Sequence, residues 1–172
     1  MDDFIKTKDG TLIIGEPGYG KTKIIRELKN IYKEQGWKVC WIDVRNMTQE
    51  DLTILKQISE ELTKRKNQES VQDLDKTVLL IDDFDVFLQK SKDKSVYEVF
   101  QNINDFGQKV GFSFVISVKN KNELPNTIYQ NIKNKIYLGT SALEVRPTAL
   151  AFGTLAYVDG TAEDIKPVLK IY

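Results

Sequence analysis

Residues 15–22 read Gly15-Glu16-Pro17-Gly18-Tyr19-Gly20-Lys21-Thr22, a complete GxxxxGK[ST] octapeptide. Few patterns restrict a fold as tightly. An apolar run at 11–14 precedes it, and Ile24, Ile25, Leu28, Ile31 and Tyr32 follow at helical spacing, with Gly36 as the stop. The context is therefore strand, glycine-rich loop, helix. Gly18 and Gly20 let the backbone curl so that its N–H groups point inward as an anion nest, and the helix adds the positive end of its dipole. Lys21 would set an ammonium against the β- and γ-phosphates, and the Thr22 hydroxyl would supply one magnesium ligand. A plain Gly-Pro turn is the competing reading, and the flanking strand and helix argue against it. The expected nucleotide contacts are Glu16, Pro17, Gly18, Tyr19, Gly20, Lys21, Thr22 and Lys23. Tyr19 and Glu16 are expected where the phosphates approach, and the Glu16 carboxylate would weaken binding there.

A second element completes the pattern. Val78-Leu79-Leu80-Ile81-Asp82-Asp83 places four apolar residues before two carboxylates, as a buried strand that delivers acids at its C-terminal tip. Open α/β sheets bind ligands at such tips. Asp82 would hold magnesium through water. Asp83 stands where a Glu commonly polarises the attacking water, so Lys21 and Asp83 are the candidate catalytic residues. The Asp83 side chain is one methylene shorter than Glu and needs an adjusted backbone to reach the nucleophile. Asp85 reads as a capping or turn residue.

The rest of the chain alternates strand and helix signals. Residues 37–44 read as a second buried strand, 51–66 as a helix, 89–95 as a solvated loop and 96–108 as a helix. Residues 112–118 read as a fourth strand, 125–131 as a short helix and 135–138 as a fifth strand. A short strand at 4–7 and an Asp9-Gly10 turn lead in. Residues 153–158, an Asp159-Gly160 turn and 168–171 read as an antiparallel hairpin at a sheet edge. This alternation predicts an α/β fold: a mainly parallel five-stranded core sheet flanked by helices, of the RecA-like ASCE P-loop NTPase kind, as one domain over 1–172.

Composition narrows the chemistry. The chain has no histidine, which removes histidine bases and ligands, and its one cysteine, Cys40, reads as a buried thiol. Lys plus Arg and Asp plus Glu number 25 each, so no electrostatic footprint for a polyanion is visible and nucleic acid is an unlikely partner. Arginines stand at 26, 45, 65 and 146; Arg146, beside Pro147, is the first choice for reaching a neighbour's γ-phosphate, with a surface charge as the alternative. Lys119 and Asn120 end the fourth strand, where either a polar sensor or a simple turn would sit.

The chain resembles the FtsK/SpoIIIE/HerA branch of P-loop motors, and within it the last ATPase domain of the type VII secretion coupling proteins of the EssC/EccC type. The resemblance rests on the P-loop and, in order, on Lys8-Asp9-Gly10, Asp43-Val44-Arg45, the strand 111–117, the segment 131–136, and the terminal 153–158 and 167–169. AAA+ proteins would end in a helical lid, which the sequence does not display. The resemblance implies ATP and Mg2+ as cofactors and export of WXG100-type proteins as the coupled work. It implies as partners the other ATPase domains of one polypeptide, neighbouring protomers in a hexamer, and secretion-system membrane proteins. The chain would then be a piece of a membrane-anchored multidomain ATPase, on the cytoplasmic side of the membrane. Lys119 in place of the family's sensor Gln, and Asp83 in place of Glu, imply weakened or lost hydrolysis. A DNA-translocating or loading ATPase, and a non-hydrolysing regulatory or substrate-binding module, are the alternatives.

Overall fold

A computed structural model describes residues 10–67, 75–91, 95–132, 134–139 and 157–159. The elements are β1 (Thr11–Ile14), α1 (Lys21–Glu34), β2 (Lys38–Ile42), α2 (Gln49–Lys66) and β3 (Thr77–Ile81). They continue with α3 (Phe84–Ser91), α4 (Ser95–Phe106), β4 (Phe112–Val118), α5 (Asn126–Asn131), β5 (Asn134–Tyr137) and β6 (Tyr157–Asp159). The sheet runs β2-β3-β4-β1-β5-β6. Its first five strands are parallel and β6 pairs with β5 in the antiparallel sense. The expected five-stranded core is therefore present, with β4 set between β1 and β3. Of the expected terminal hairpin only β6 is described; 168–171, like the strand at 4–7 and Arg146, lies outside the described residues.

Strands β1, β3 and β4 are buried along their whole length. That is the consequence of helices on both faces, and it explains why these segments read as unbroken apolar runs rather than alternating ones. The pleat still sorts them. Ile13, Val78, Leu80, Val115 and Ile136 turn to one face and pack with Ile24, Ile25, Leu28 and Tyr32 of α1. Leu12, Ile14, Leu79, Ile81, Phe114 and Ile116 turn to the other, under α2 to α5. On that second face the Phe100 ring meets Phe84 edge-on at 4.5 Å and Phe114 at 5.4 Å.

Arg65 locks α2 against the sheet. Its guanidinium is nearly buried, bonds Glu61 at 2.8 Å and the carbonyls of Asp75 and Val110 at 2.8 and 3.1 Å, and lies over the Phe112 ring. The role of this arginine is structural. Helix α2 opens with a capping box in which Thr48 and Asp51 exchange hydrogen bonds.

Three expectations are corrected. Residues 89–91 are not loop: α3 continues through Ser91, anchored by buried Phe84 and Phe87 and by Lys90, whose ammonium donates to the Val44 carbonyl at 2.7 Å. The second strand is not buried throughout, because the sheet order places β2 at an edge of the described sheet, where only Ile42 is covered. Cys40 on that strand is accordingly half-buried, and burial still pushes its thiol pKa up. Among the described residues no helix is long and apolar enough to cross a membrane.

Candidate functional site

The turn between β1 and α1 is built by geometry that glycine alone adopts cheaply. Gly18 and Gly20 both have φ of 88°, and a Cβ at Gly18 would meet nothing within 4 Å, so the position faces open space. Gly20 is the N-cap of α1 and offers no side chain; the first turn carries no acid either. The leading amides of α1 thus receive no side-chain cap from Gly20. Lys21 is buried, and its ammonium folds back to donate to the Gly15 carbonyl at 2.7 Å and the Glu16 carbonyl at 3.4 Å. Its charge rests on the rim of the cradle without a carboxylate partner among the described residues.

The Tyr19 ring lies on Gly139 at the end of β5, where an added Cβ would come within 2.3 Å of the ring. Half-buried, it packs with the α1-side core. Glu16, Pro17, Gly18 and Lys23 are exposed, and Gly15 is buried against Leu138.

The carboxylates arrive from β3. Strand pairing sets Ile81 beside Ile116, so Asp82 comes level with Ser117 on β4. Asp82 continues the α1-facing register of Val78 and Leu80, and the Thr22 hydroxyl donates to its Oδ2. Ser117 donates to Asp82 Oδ1 at 2.5 Å and accepts the Asp83 N–H at 2.9 Å. Thr22, Asp82 and Asp83 border a cleft of about 500 Å³ whose walls also carry Arg26, Trp41, Asp43 and Arg45. Hydrogen bonds from the Asn46 side chain and the Arg45 N–H hold the Asp43 carboxyl below the usual carboxylate range. The Asp85 carboxyl is pushed up by burial, with the charges of Asp83 and Glu123 adding to the effect.

A hydroxyl and a carboxylate are hard oxygen donors, which suits Mg2+. Among the described residues no group of three or more acidic, Cys or His side chains could hold a metal alone.

Sequence reasoning brought Thr22, Asp82 and Asp83 together and missed Ser117, which belongs to no motif. Asn120 accepts the Asn122 N–H at 2.9 Å and donates to Glu123 at 3.1 Å, so its side chain caps the turn after β4, the second of the two readings offered for it. Lys119 is exposed. Arg26 and Arg45, assigned no catalytic part from sequence, line the cleft.

The sequence model of the ATPase family associated with various cellular activities (AAA) matches residues 11–140. The expectation that set AAA+ proteins aside for want of a lid is thereby corrected. The match rests on the core, and 141–156 lie outside the described residues. No curated protein matches the chain. Among solved structures, EssC (ATPases 2 and 3) from Geobacillus thermodenitrificans is similar at TM-score 0.61 and 16% identity, over 92% of this chain and 41% of that one. The cytoplasmic domain of the Thermomonospora curvata type VII secretion ATPase EccC is similar at TM-score 0.65 and 15% identity, over 91% and 24%. The genome packaging NTPase of Sulfolobus turreted icosahedral virus 2, in complex with AMPPCP, is similar at TM-score 0.61 and 14% identity, over 94% and 99%. The chain thus spans less than half of the EssC and EccC chains it resembles.

Proposed function

The chain belongs to the AAA family of ATPases, and on that premise we propose that it binds ATP with Mg2+ between the Gly15–Lys23 cradle and the tip of β3, and hydrolyses it. The observation that carries this reading is the Thr22–Asp82 hydrogen bond, which joins the glycine-rich loop to the carboxylate strand. The cradle amides and Lys21 take the β- and γ-phosphates. Thr22 and Asp82 would hold Mg2+, which when bound would supply neutralisation of the charge on the phosphate oxygens. Asp83, at the mouth of the same cleft, orients the attacking water. Titration with ATP, with and without Mg2+, tests binding, and turnover of wild type beside Lys21→Ala and Asp82→Ala tests hydrolysis. Equal behaviour of all three folded proteins would remove the site assignment. Turnover is followed over a range of protein concentration, because a ring former is silent as a monomer.

The coupled work, in this proposal, is protein export by a type VII secretion ATPase on the cytoplasmic face of the membrane, with neighbouring ATPase domains or protomers completing the assembly. Support comes from the order of motifs shared with the EssC/EccC type and from the balanced charge, 25 basic against 25 acidic residues. Capture of a WXG100-type protein by the chain tests it. A genome-packaging or DNA-translocating motor is the second reading, favoured by the coverage of almost the whole viral packaging NTPase. DNA-stimulated turnover at low salt would select it over the first.

A further inference from the structure

We propose that Ser117 is a positioning residue that turns the Asp83 carboxylate into the cleft, and so makes a short acid serve where a longer one is usual. The inference rests on the ATPase reading above. Alternate residues of a strand face opposite sides of a sheet. Val78 and Leu80 face α1, whereas Leu79 and Ile81 face the opposite helices. Extended one residue further, β3 would aim Asp82 at Thr22 and Asp83 away from it. Yet Asp83 lines the same cleft as Thr22 and Asp82.

The backbone explains the exception. Asp83 has φ of 54° and is the single non-glycine residue with positive φ among those described. Aspartate visits this left-handed region more readily than most side chains, but a bond is still needed to keep it there. Two are present. The Asp83 carbonyl accepts the Phe87 N–H at 3.1 Å, which commits it to the start of α3, and the Asp83 N–H donates to Ser117 Oγ at 2.9 Å. The same hydroxyl spends its one proton on Asp82 Oδ1. Its donor and acceptor directions are therefore both assigned, one to each acidic residue. Ser117 is fully buried, so water cannot substitute for it without a rearrangement of β4.

The test combines kinetics, binding and structure on the full chain. Ser117→Ala is expected to lower kcat about 10- to 100-fold, the scale of a misplaced catalytic group, a larger factor than the accompanying change in KM for ATP. Asp83→Glu alone is expected not to raise turnover, because the turned backbone already supplies the reach. In the Ser117→Ala background Asp83→Glu is expected to restore part of the loss, since a longer side chain reaches from a relaxed backbone. A crystal structure of Ser117→Ala should show Asp83 at negative φ, and this readout holds whether or not the protein turns over ATP. Unchanged kcat, no recovery with Glu, or retention of positive φ at Asp83 would each overturn the proposal. A wild type that binds no ATP would instead remove the underlying ATPase reading.

Discussion

The Thr22 hydroxyl donates to Asp82 Oδ2 across sixty residues of sequence, and so joins the first turn of α1 to the tip of β3. In the proposed complex this pair separates to share one ion. Thr22→Ala should therefore leave Mg2+-free nucleotide affinity intact while removing at least about 10-fold from the affinity gained on adding Mg2+. Thr22→Ser keeps the hydroxyl and should retain the gain. Calorimetric titration in Mg2+ and in chelator reads both. An equal loss in the two conditions would mean that Thr22 shapes the loop instead of meeting the ion.

The Tyr19 ring on Gly139 ties the glycine-rich loop to the end of β5, and a second prediction follows from that contact. Gly139 has φ of 59°, and an added Cβ would sit 2.3 Å from the ring. Gly139→Ala combines a steric clash, about 1–3 kcal/mol, with a left-handed alanine, about 1–2 kcal/mol. Tyr19→Ala in the same chain should recover the steric part and leave the backbone part. Denaturant unfolding of the two single variants and the double variant measures the coupling. Strict additivity would show that the ring and Gly139 do not press on each other in solution.

Much of this architecture was legible because the decisive signals are local. GxxxxGK[ST] between a strand and a periodic helix, and an apolar run ending in Asp82-Asp83, are each contained within a few residues. What escaped depends on the sheet order. The segment 37–44 is mostly apolar, like β3, but only the arrangement β2-β3-β4-β1 makes it an edge. Helix α3 has two buried phenylalanines, and its polar second half resembles a loop until Lys90 is seen to reach Val44. Ser117 is a lone hydroxyl in an apolar strand, and only the pairing of Ile81 with Ile116 brings it level with Asp82. The positive φ of Asp83 and the bond from its N–H to Ser117 belong to no local pattern either.

Asp85 supplies the last prediction, and its sign can be worked out. Its Oδ1 is buried with no hydrogen-bond partner among the described residues. Burial foremost, then the charges of Asp83 and Glu123, hold its pKa above the ordinary value. In the unfolded chain the group titrates near about 3.9. Between that value and the raised one the folded protein binds more protons than the unfolded, so this group's effect on stability worsens as pH rises through the interval. Below the unfolded value the penalty is absent, and above the folded value it is present in full. Asp85→Asn removes the ionisation. It should raise Tm relative to wild type at pH 7, and the difference should shrink as pH falls toward about 3, where both forms are neutral. Thermal unfolding of both proteins across that range is the measurement. A gap that widens in acid would show that the buried oxygen is satisfied by another group and that its charge costs the fold nothing.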